Sequence, residues 1–340
     1  METWFLILIS ISITYLLKLI IFNLFYPPIK QSLNLPPGPI CFPILGNLLL
    51  FRKSFNDLYP VIQSLHAKFG PIITFHFGSR PAIFIADRFL AHQALVKDGA
   101  SFADRPLTFD GSNQNHITTA FYGTKWRLLR RNLTAEILQS SRVKTYSHAR
   151  KWALERFLNC LKIRSKSGPV RVLEHFQFSM FSLLVLMCFG NKYDDDKIKE
   201  IEDVVERLLS NFSRVMTHDV DFNGYMVPRN GIVYIMNGAM GLDPNVWENP
   251  MEFKPERFLS DEKAFDISGN KEIKMMPFGA GRRICPGHVL AMLHLEYFVA
   301  NLVWNFEWKA VDGEEDDMEP KQEFVMTMKN PLRVNLLARF

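Results

Sequence analysis

One cysteine lies in the loop sequence PFGAGRRICPG, residues 277–287, directly before a long apolar segment. Cys285 follows two arginines and stands between glycines, and Pro286 suits the first position of a helix. The free backbone N–H groups and the dipole of a helix N-terminus stabilise a thiolate and lower the pKa of the thiol. The pattern therefore predicts a metal-binding or nucleophilic cysteine, with a buried structural cysteine as the alternative.

The residues around this cysteine favour a flat, anionic partner. Gly279, Gly281 and Gly287 permit a tight loop whose backbone can approach such a partner closely. Arg282 and Arg283 add positive charge where an anionic group could be held. The loop therefore has the composition of a ligand-binding segment.

Composition limits the other functions that the chain could have. The chain has 340 residues, four cysteines and a formal net charge of +5. The cysteines are far apart and show neither CxxC nor zinc spacing, which favours a reducing compartment. The charge is too small and too dispersed to indicate nucleic-acid binding, so we expect no nucleic-acid partner.

The N-terminus, residues 1–26, is predicted to be a transmembrane anchor. The segment Trp4 to Tyr26 is almost entirely apolar, and as a helix it would span roughly 34 Å against a hydrocarbon core of about 30 Å. A cleaved signal peptide is the alternative, but Glu2 replaces a basic start and no small-residue cleavage site follows. Basic residues such as Lys30 lie beyond the segment, so the positive-inside rule places the bulk of the chain in the cytosol.

The rest of the chain is predicted to be mainly α-helical with a small β portion. Six prolines between 27 and 43 make residues 27–47 a stiff hinge. Further elements follow from periodicity: two strands in 68–87, mainly helices in 88–215, one of them in 193–212, a strand hairpin in 222–237, a buried helix in 288–308 and closing strands in 324–337.

The cysteine loop matches a known pattern. Phe278-x-x-Gly281-x-Arg283-x-Cys285-x-Gly287 agrees at every defining position with the haem-binding loop of cytochrome P-450 enzymes. Three further motifs precede the cysteine loop in the order that the family shows: PPGP at 36–39, WRLLR at 126–130 and FKPERF at 253–258. The sequence therefore resembles a plant microsomal cytochrome P-450.

The resemblance covers about residues 1–214 and 217–340 and implies a cytochrome P-450-like fold that is incomplete in the middle. It implies one catalytic domain after the hinge, with an N-terminal part at 48–215 and a C-terminal, haem-binding part at 216–340. The implied reaction inserts one oxygen atom from O2 into a small lipophilic substrate.

The resemblance also implies the roles of individual residues. Cys285 would be the axial ligand of haem b (iron protoporphyrin IX), and its electron donation favours O–O bond cleavage. The other implied haem contacts are Phe278 beside the sulfur, Gly281 and Gly287 in the loop, and Trp126, Arg130 and Arg283 at the propionates. For Trp126 and Arg130 alone, an ordinary amphipathic helix is the alternative. These side chains are expected around one flat cavity.

Other implied sites are less specific. Family members line the substrate pocket with variable segments, which here contain Asn113, His116, Phe121 and Val325. Isolated histidines such as His116 and His294 are more often structural than catalytic.

The implied partners are the endoplasmic reticulum membrane and an NADPH–cytochrome P-450 reductase, which would supply electrons from NADPH. A basic face would steer an acidic donor of this kind, and scattered solvated charge is the alternative. The basic residues concerned are Lys125, Arg127, Arg130, Arg131, Lys271, Lys274 and Arg282.

The family pattern breaks between Ser213 and Thr217, where a long helical section is missing. That section carries an acidic residue followed by threonine, a pair which occurs here only at Glu2-Thr3, and the Glu-x-x-Arg motif, which the chain lacks. Arg257 is thus expected to remain near the core without its carboxylate, at a cost of about 3–5 kcal/mol.

Three hypotheses follow from these residues. The first is a haem-thiolate monooxygenase, and the second is a non-catalytic, membrane-anchored remnant that binds haem weakly or not at all. The third, a thiol-based or zinc-binding membrane protein, lacks a second ligand at useful spacing. The missing proton-delivery residues predict little or no oxygen activation.

Overall fold

A computed structural model describes residues 2–25, 34–41, 46–47, 55–78, 80–105, 116–209, 214–216, 218–259, 265–313, 318–322 and 326–340. The chain divides into two compact units, each made of two stretches. Unit 1 comprises Met1–Pro106 and Ser213–Met240, and unit 2 comprises Leu107–Phe212 and Gly241–Phe340.

Helices dominate the described residues, as the sequence predicts. The α-helices are α1 Glu2–Phe25, α2 Phe55–Phe69, α3 Arg88–His92, α4 Thr124–Glu136, α5 Ser140–Thr145, α6 Ser147–Arg164, α7 Val172–Phe189, α8 Asp195–Leu209, α9 Asn237–Gly241 and α10 His288–Asn305. Shorter helical turns are Gln93–Lys97, Ser165–Ser167, Pro255–Phe258 and Gly281–Arg283.

The strands form four small sheets. They are β1 Ile72–Phe77, β2 Arg80–Ile85, β3 Val170–Arg171, β4 Arg214–Val215, β5 Val220–Phe222, β6 Tyr225–Val227, β7 Ile232–Ile235, β8 Phe306–Ala310, β9 Pro320–Gln322, β10 Met326–Met328 and β11 Arg333–Ala338. The strand orders are β1-β2-β7-β4 and β5-β6 in unit 1, and β3-β11-β8 and β10-β9 in unit 2. The small β portion that the sequence predicts is confirmed.

The core of unit 1 lies against its four-stranded sheet. β1 and β2 pair antiparallel, with Phe75 opposite Ala82, and β2 pairs in parallel with β7. Phe75, Ala82 and Ile62 of α2 are buried together. These pairings confirm the two strands predicted within 68–87. The strands form there because their apolar and β-branched residues suit a buried sheet.

The PPGP motif packs directly against this sheet. The backbone N–H of Thr74 in β1 donates to the carbonyl of Pro37 over 2.9 Å. A Cβ atom added at Gly38 would lie 1.9 Å from the Thr74 carbonyl oxygen, so only glycine permits this approach.

The hairpin predicted within 222–237 is shifted towards the N-terminus. β5 and β6 form the hairpin, with Phe222 opposite Tyr225. β7 does not pair with β6 but joins β2 and β4 in the larger sheet. Pro228, after β6, has no N–H to donate and separates the two segments.

The core of unit 2 is built from α6, α7 and α10. Phe298 of α10 is fully buried, and its ring centroid lies 6.0 Å from that of Phe157 in α6 and 5.9 Å from that of Phe176 in α7. The three-stranded sheet extends this core through the buried Val334 and Leu336 of β11. Unit 2 thus holds together through three helices and one small sheet.

The helix predicted at 288–308 is present as α10, but the prediction that it is buried holds for only one of its sides. α10 buries one row of side chains, at Leu290, His294, Phe298 and Leu302. Its opposite side is exposed and apolar, with Val299 51% and Trp304 69% accessible. The difference arises because α6 and α7 cover only one side of α10.

The N-terminal segment is helical over Glu2–Phe25, with an apolar stretch at Ile7–Ile20. Its described apolar side chains are exposed, for example Trp4 and Leu8. Among the described residues, one helix, α7, is long and apolar enough to cross a membrane by length and composition alone. However, 39% of α7 is buried inside unit 2.

Candidate cofactor site

The cysteine loop in unit 2 is closed by its own backbone. The N–H of Cys285 donates to the carbonyl of Phe278 over 2.9 Å. Gly279 and Gly281 have φ values of +70° and +71°, a region that favours glycine. These two glycines allow the chain to turn back before the cysteine.

Cys285 is half-buried and forms no disulfide. α10 begins three residues later, at His288, as the sequence predicts. A Cβ atom added at Gly287 would lie 4.0 Å from the Cys285 sulfur, which is an ordinary van der Waals distance.

Arg130 of α4 reaches the cysteine loop. Its Nη1 donates to the carbonyl oxygen of Ile284 over 2.7 Å. Burial lowers the pKa of the Arg130 guanidinium, and the nearby charge of Cys285 acts in the opposite direction. A cation is therefore held beside the cysteine.

Arg283 of the cysteine loop lies against Trp126 of α4. The Arg283 guanidinium lies 4.8 Å from the centroid of the buried Trp126 ring. The Trp126 Nε1 donates to the carbonyl of Ile117 over 3.1 Å. Arg283 donates from Nη1 to Ile117 over 3.2 Å and from Nη2 to the carbonyl of Ala120 over 2.6 Å.

The structure thus brings together Trp126, Arg130, Arg283 and Cys285, which are up to 159 positions apart in the sequence. Their donor groups point to main-chain carbonyls of the neighbouring turn and of the loop. Phe278 belongs to the same loop, with its ring centroid 6.2 Å from that of His288.

Arg257 does not carry the predicted unpaired buried charge. It is only partly buried, and its guanidinium donates to the carbonyls of Lys254, Asn249 and Glu252 over 3.0, 3.3 and 3.0 Å. It also lies 5.9 Å from the ring centroid of Trp247. The expected penalty of about 3–5 kcal/mol does not arise, because solvent and carbonyl oxygens replace the carboxylate.

A cavity of about 590 Å³ lies beside Arg257. Three aromatic rings form one wall, with centroids 5.4–5.8 Å apart, and charged residues of both signs complete the lining. The aromatic residues are Trp247, Phe258 and Phe265.

The substrate-pocket residues are only partly within the described structure. Asn113 and Val325 lie outside the described residues. His116 is exposed, with Nδ1 2.6 Å from the hydroxyl of Thr118, and Phe121 is 45% exposed. The two described residues lie on or next to the turn that binds Arg283.

Sequence reasoning missed the acceptors of the site, the carbonyls of Ile117, Ala120 and Ile284. Carbonyls are present at every residue and carry no side-chain signature. Only the WRLLR and cysteine-loop motifs pointed to their neighbourhood.

His294 is buried in α10, the helix that follows the cysteine loop. Burial and the charge of Arg150 lower its pKa to about 4, and its Nε2 is buried without a hydrogen-bond partner. The histidine is thus neutral at pH 7, which agrees with a structural role.

His294 should make the fold acid-sensitive. An unfolded histidine takes up a proton near pH 6.5, whereas the folded one does so near pH 4, so stability falls as the pH drops through this window. The loss of unfolding free energy should be on the order of 2–3 kcal/mol at pH 4. Urea unfolding at pH 7 and pH 4.5 measures it. His294→Leu should flatten this part of the profile, and an equally steep profile in that variant contradicts the assignment.

Comparison with known proteins agrees with this arrangement. The family model for cytochrome P450 matches residues 36–215 and 208–336. Cytochrome P450 89A9 of Arabidopsis thaliana is 33% identical, over 98% of this chain and 98% of its own length. Cytochrome P450 71B22 of the same plant is 23% identical, over 96% and 98%. Flavonoid 3',5'-hydroxylase of Campanula medium is 41% identical over 131 residues, 38% of this chain and 25% of its own.

The chain therefore belongs to the cytochrome P450 family, a family of haem-dependent monooxygenases. Its 340 residues extend across 509 aligned positions of the first relative, so a large internal section has no counterpart here. The two matched segments meet at 208–215, next to the break that the sequence predicts.

The described donor set suits the cofactor that the family implies. Cys285 offers a soft ligand for iron, and two guanidinium groups with an indole N–H suit carboxylates.

Proposed function

We propose that this chain is a membrane-anchored, haem-binding cytochrome P450 that keeps the thiolate site and has lost most of its oxygen chemistry. The observation that carries the proposal is the meeting of Cys285, Arg130, Trp126 and Arg283 in one compact unit. A chance cysteine would have no reason to lie among these donors.

Each of the site residues has a separate role in the proposed binding of haem b. Cys285 would bind the iron, Phe278 would shield the sulfur, and Gly281 and Gly287 would leave room for the ring. Arg130 and Arg283 would neutralise the propionates through charge-assisted hydrogen bonds, and the uncharged indole of Trp126 would donate a further hydrogen bond. When bound, haem supplies the chemistry that activates O2 in this family.

The exposed apolar helix α1 supports a place in the endoplasmic reticulum membrane. Residues 1–26 would span it once, and residues 27–47 would form the hinge that leads to the cytosolic part. Residues 48–215 and 216–340 would then be the N-terminal and haem-binding parts of one domain.

Electrons would come from NADPH through a cytochrome P450 reductase. Five of the predicted basic residues are exposed in unit 2, which supports an acidic docking partner. They are Lys125, Arg127, Arg131, Lys271 and Arg282.

Two hypotheses about the activity of this chain rest on different observations. A full monooxygenase acting on a small lipophilic substrate rests on the cysteine loop. The remnant with little or no turnover is favoured by the missing acid–threonine pair of the proton-delivery section.

We expect turnover to be at least about a hundredfold below that of a complete relative, since lost proton transfer costs roughly 10²–10⁴-fold. The measurement is product formation from a panel of lipophilic substrates, with NADPH, reductase and haem-loaded protein in membranes. Cytochrome P450 89A9 prepared in the same way is the matched control. A turnover equal to that of the control on any shared substrate contradicts the loss of oxygen chemistry.

The haem proposal is tested separately. Adding haem to the purified chain should give a saturable Soret absorbance with one haem per chain. A linear, non-saturating signal contradicts the proposal.

A further inference from the structure

Three hydrogen bonds tie the donor residues of the site to one short turn, His116–Ala120. The Ile117 carbonyl accepts from both Trp126 and Arg283, and the Ala120 carbonyl accepts a 2.6 Å bond from Arg283. The residues that would hold the cofactor carboxylates therefore already have oxygen acceptors, supplied by the chain itself.

This turn is braced from within. The backbone N–H groups of Thr119 and Ala120 donate to the His116 carbonyl over 3.2 and 2.9 Å. The His116 ring lies 2.6 Å from the Thr118 hydroxyl and 3.1 Å from that of Thr119. Ala120 is 1% exposed, so this end of the turn is packed against the protein and excluded from solvent.

We propose that the turn His116–Ala120 is an internal mimic of the carboxylate ligand, and that haem loads only by displacing it from Arg283 and Trp126. This inference rests on the proposed haem function and extends it to residues without a predicted role in cofactor binding.

Charge explains why the exchange can proceed. A carboxylate adds opposite charge and a bidentate geometry that a neutral carbonyl cannot offer a guanidinium, so haem outcompetes Ile117 and Ala120 at Arg283. The closed turn still lowers the apparent affinity, because the competent state is only a fraction of the population.

The displacement also couples cofactor loading to the adjacent segment. His116 and Phe121, both predicted for the substrate pocket, begin and follow the turn. Movement of the turn would therefore reposition them.

Hydrogen exchange of the full-length chain, with and without haem, tests the displacement. Haem should raise the exchange rates of the Thr119 and Ala120 amides by about tenfold, because a turn released from Arg283 and Trp126 opens its internal bonds to His116 more often. Iron protoporphyrin IX dimethyl ester is the matched probe, since it keeps the iron and the ring but has no carboxylates. It should leave both amides protected.

A loosened turn gives an independent test. Thr118→Gly combined with Thr119→Gly removes the hydroxyls near His116 and should tighten haem binding roughly three- to tenfold. Ser165→Gly with Ser167→Gly, in the distant turn Ser165–Ser167, is the matched control and should leave the affinity unchanged.

The outcomes separate the inference from the proposed function. Saturable haem binding with unchanged exchange at Thr119 and Ala120 overturns the inference and leaves the haem function standing. Equal displacement by the dimethyl ester overturns the role of the carboxylates. A failure of haem to bind at all overturns both proposals.

Discussion

Replacing Cys285 with serine is expected to abolish the thiolate-type Soret band in the carbon monoxide difference spectrum of the reduced, haem-loaded protein. A serine hydroxyl is a hard, protonated group at neutral pH and does not replace a soft thiolate on iron. The loop-closing bond to Phe278 comes from the backbone N–H of residue 285, so serine should keep the loop and remove only the sulfur. The effect should be complete loss of the band.

Cys188→Ser is the matched control for this variant. Cys188 is also a free cysteine, and it is exposed at the C-terminal end of α7. Its replacement should leave the band intact, while circular dichroism should show the same helix content in both variants. A band that survives Cys285→Ser, or disappears with Cys188→Ser, refutes the ligand assignment.

Replacing Phe298 with alanine should be the most destabilising single change in unit 2. Phe298 is fully buried and contacts the rings of Phe157 and Phe176. Removing a buried phenylalanine ring costs about 3–5 kcal/mol of unfolding free energy, through lost burial and the cavity left behind. Since a domain is typically stable by only about 5–15 kcal/mol, this loss is a large share of the total.

The next residue in the chain provides the comparison. Val299 is 51% exposed on the other side of α10, so Val299→Ala should change the unfolding free energy by only about 0.5 kcal/mol. Urea unfolding of both variants, followed by circular dichroism, measures the difference. Equal midpoints for the two variants would show that α10 is not packed through Phe298.

The sequence predicted those parts of the fold that depend on local pattern. β1 and β2 appear where β-branched and apolar residues flank the turn at Gly78. α8 appears where acidic residues precede an apolar face, and Asp194 accepts from the Lys197 amide at its start. These features need no knowledge of distant residues.

The remaining features depend on which elements meet. The residues of β7 indicate a strand, but not that it would pair with β2, about 150 positions earlier. Likewise, an apolar composition all round α10 predicts a buried helix only when the chain supplies neighbours on every side. Two helices cover one side, and the exposed Trp304 and Val299 mark the other.

In the candidate site, too, some features could be predicted from local sequence and others depend on contacts between distant residues. The motifs identify Trp126, Arg283 and Cys285, because their side chains have specific chemistry. Their present partners are carbonyls, which every residue has, so no pattern could select Ile117 or Ala120. The partial solvation of Arg257 was equally unpredictable, since it depends on what covers that arginine.

The exposed apolar side of α10 also bears on the lifetime of the chain in a cell. Chaperones and degradation factors bind apolar surface that a folded protein normally hides, and they divert chains that display it. Val299, Val303 and Trp304 present such a surface, with each side chain more than half accessible. The abundance of this protein would then be set by cellular quality control as much as by its rate of synthesis.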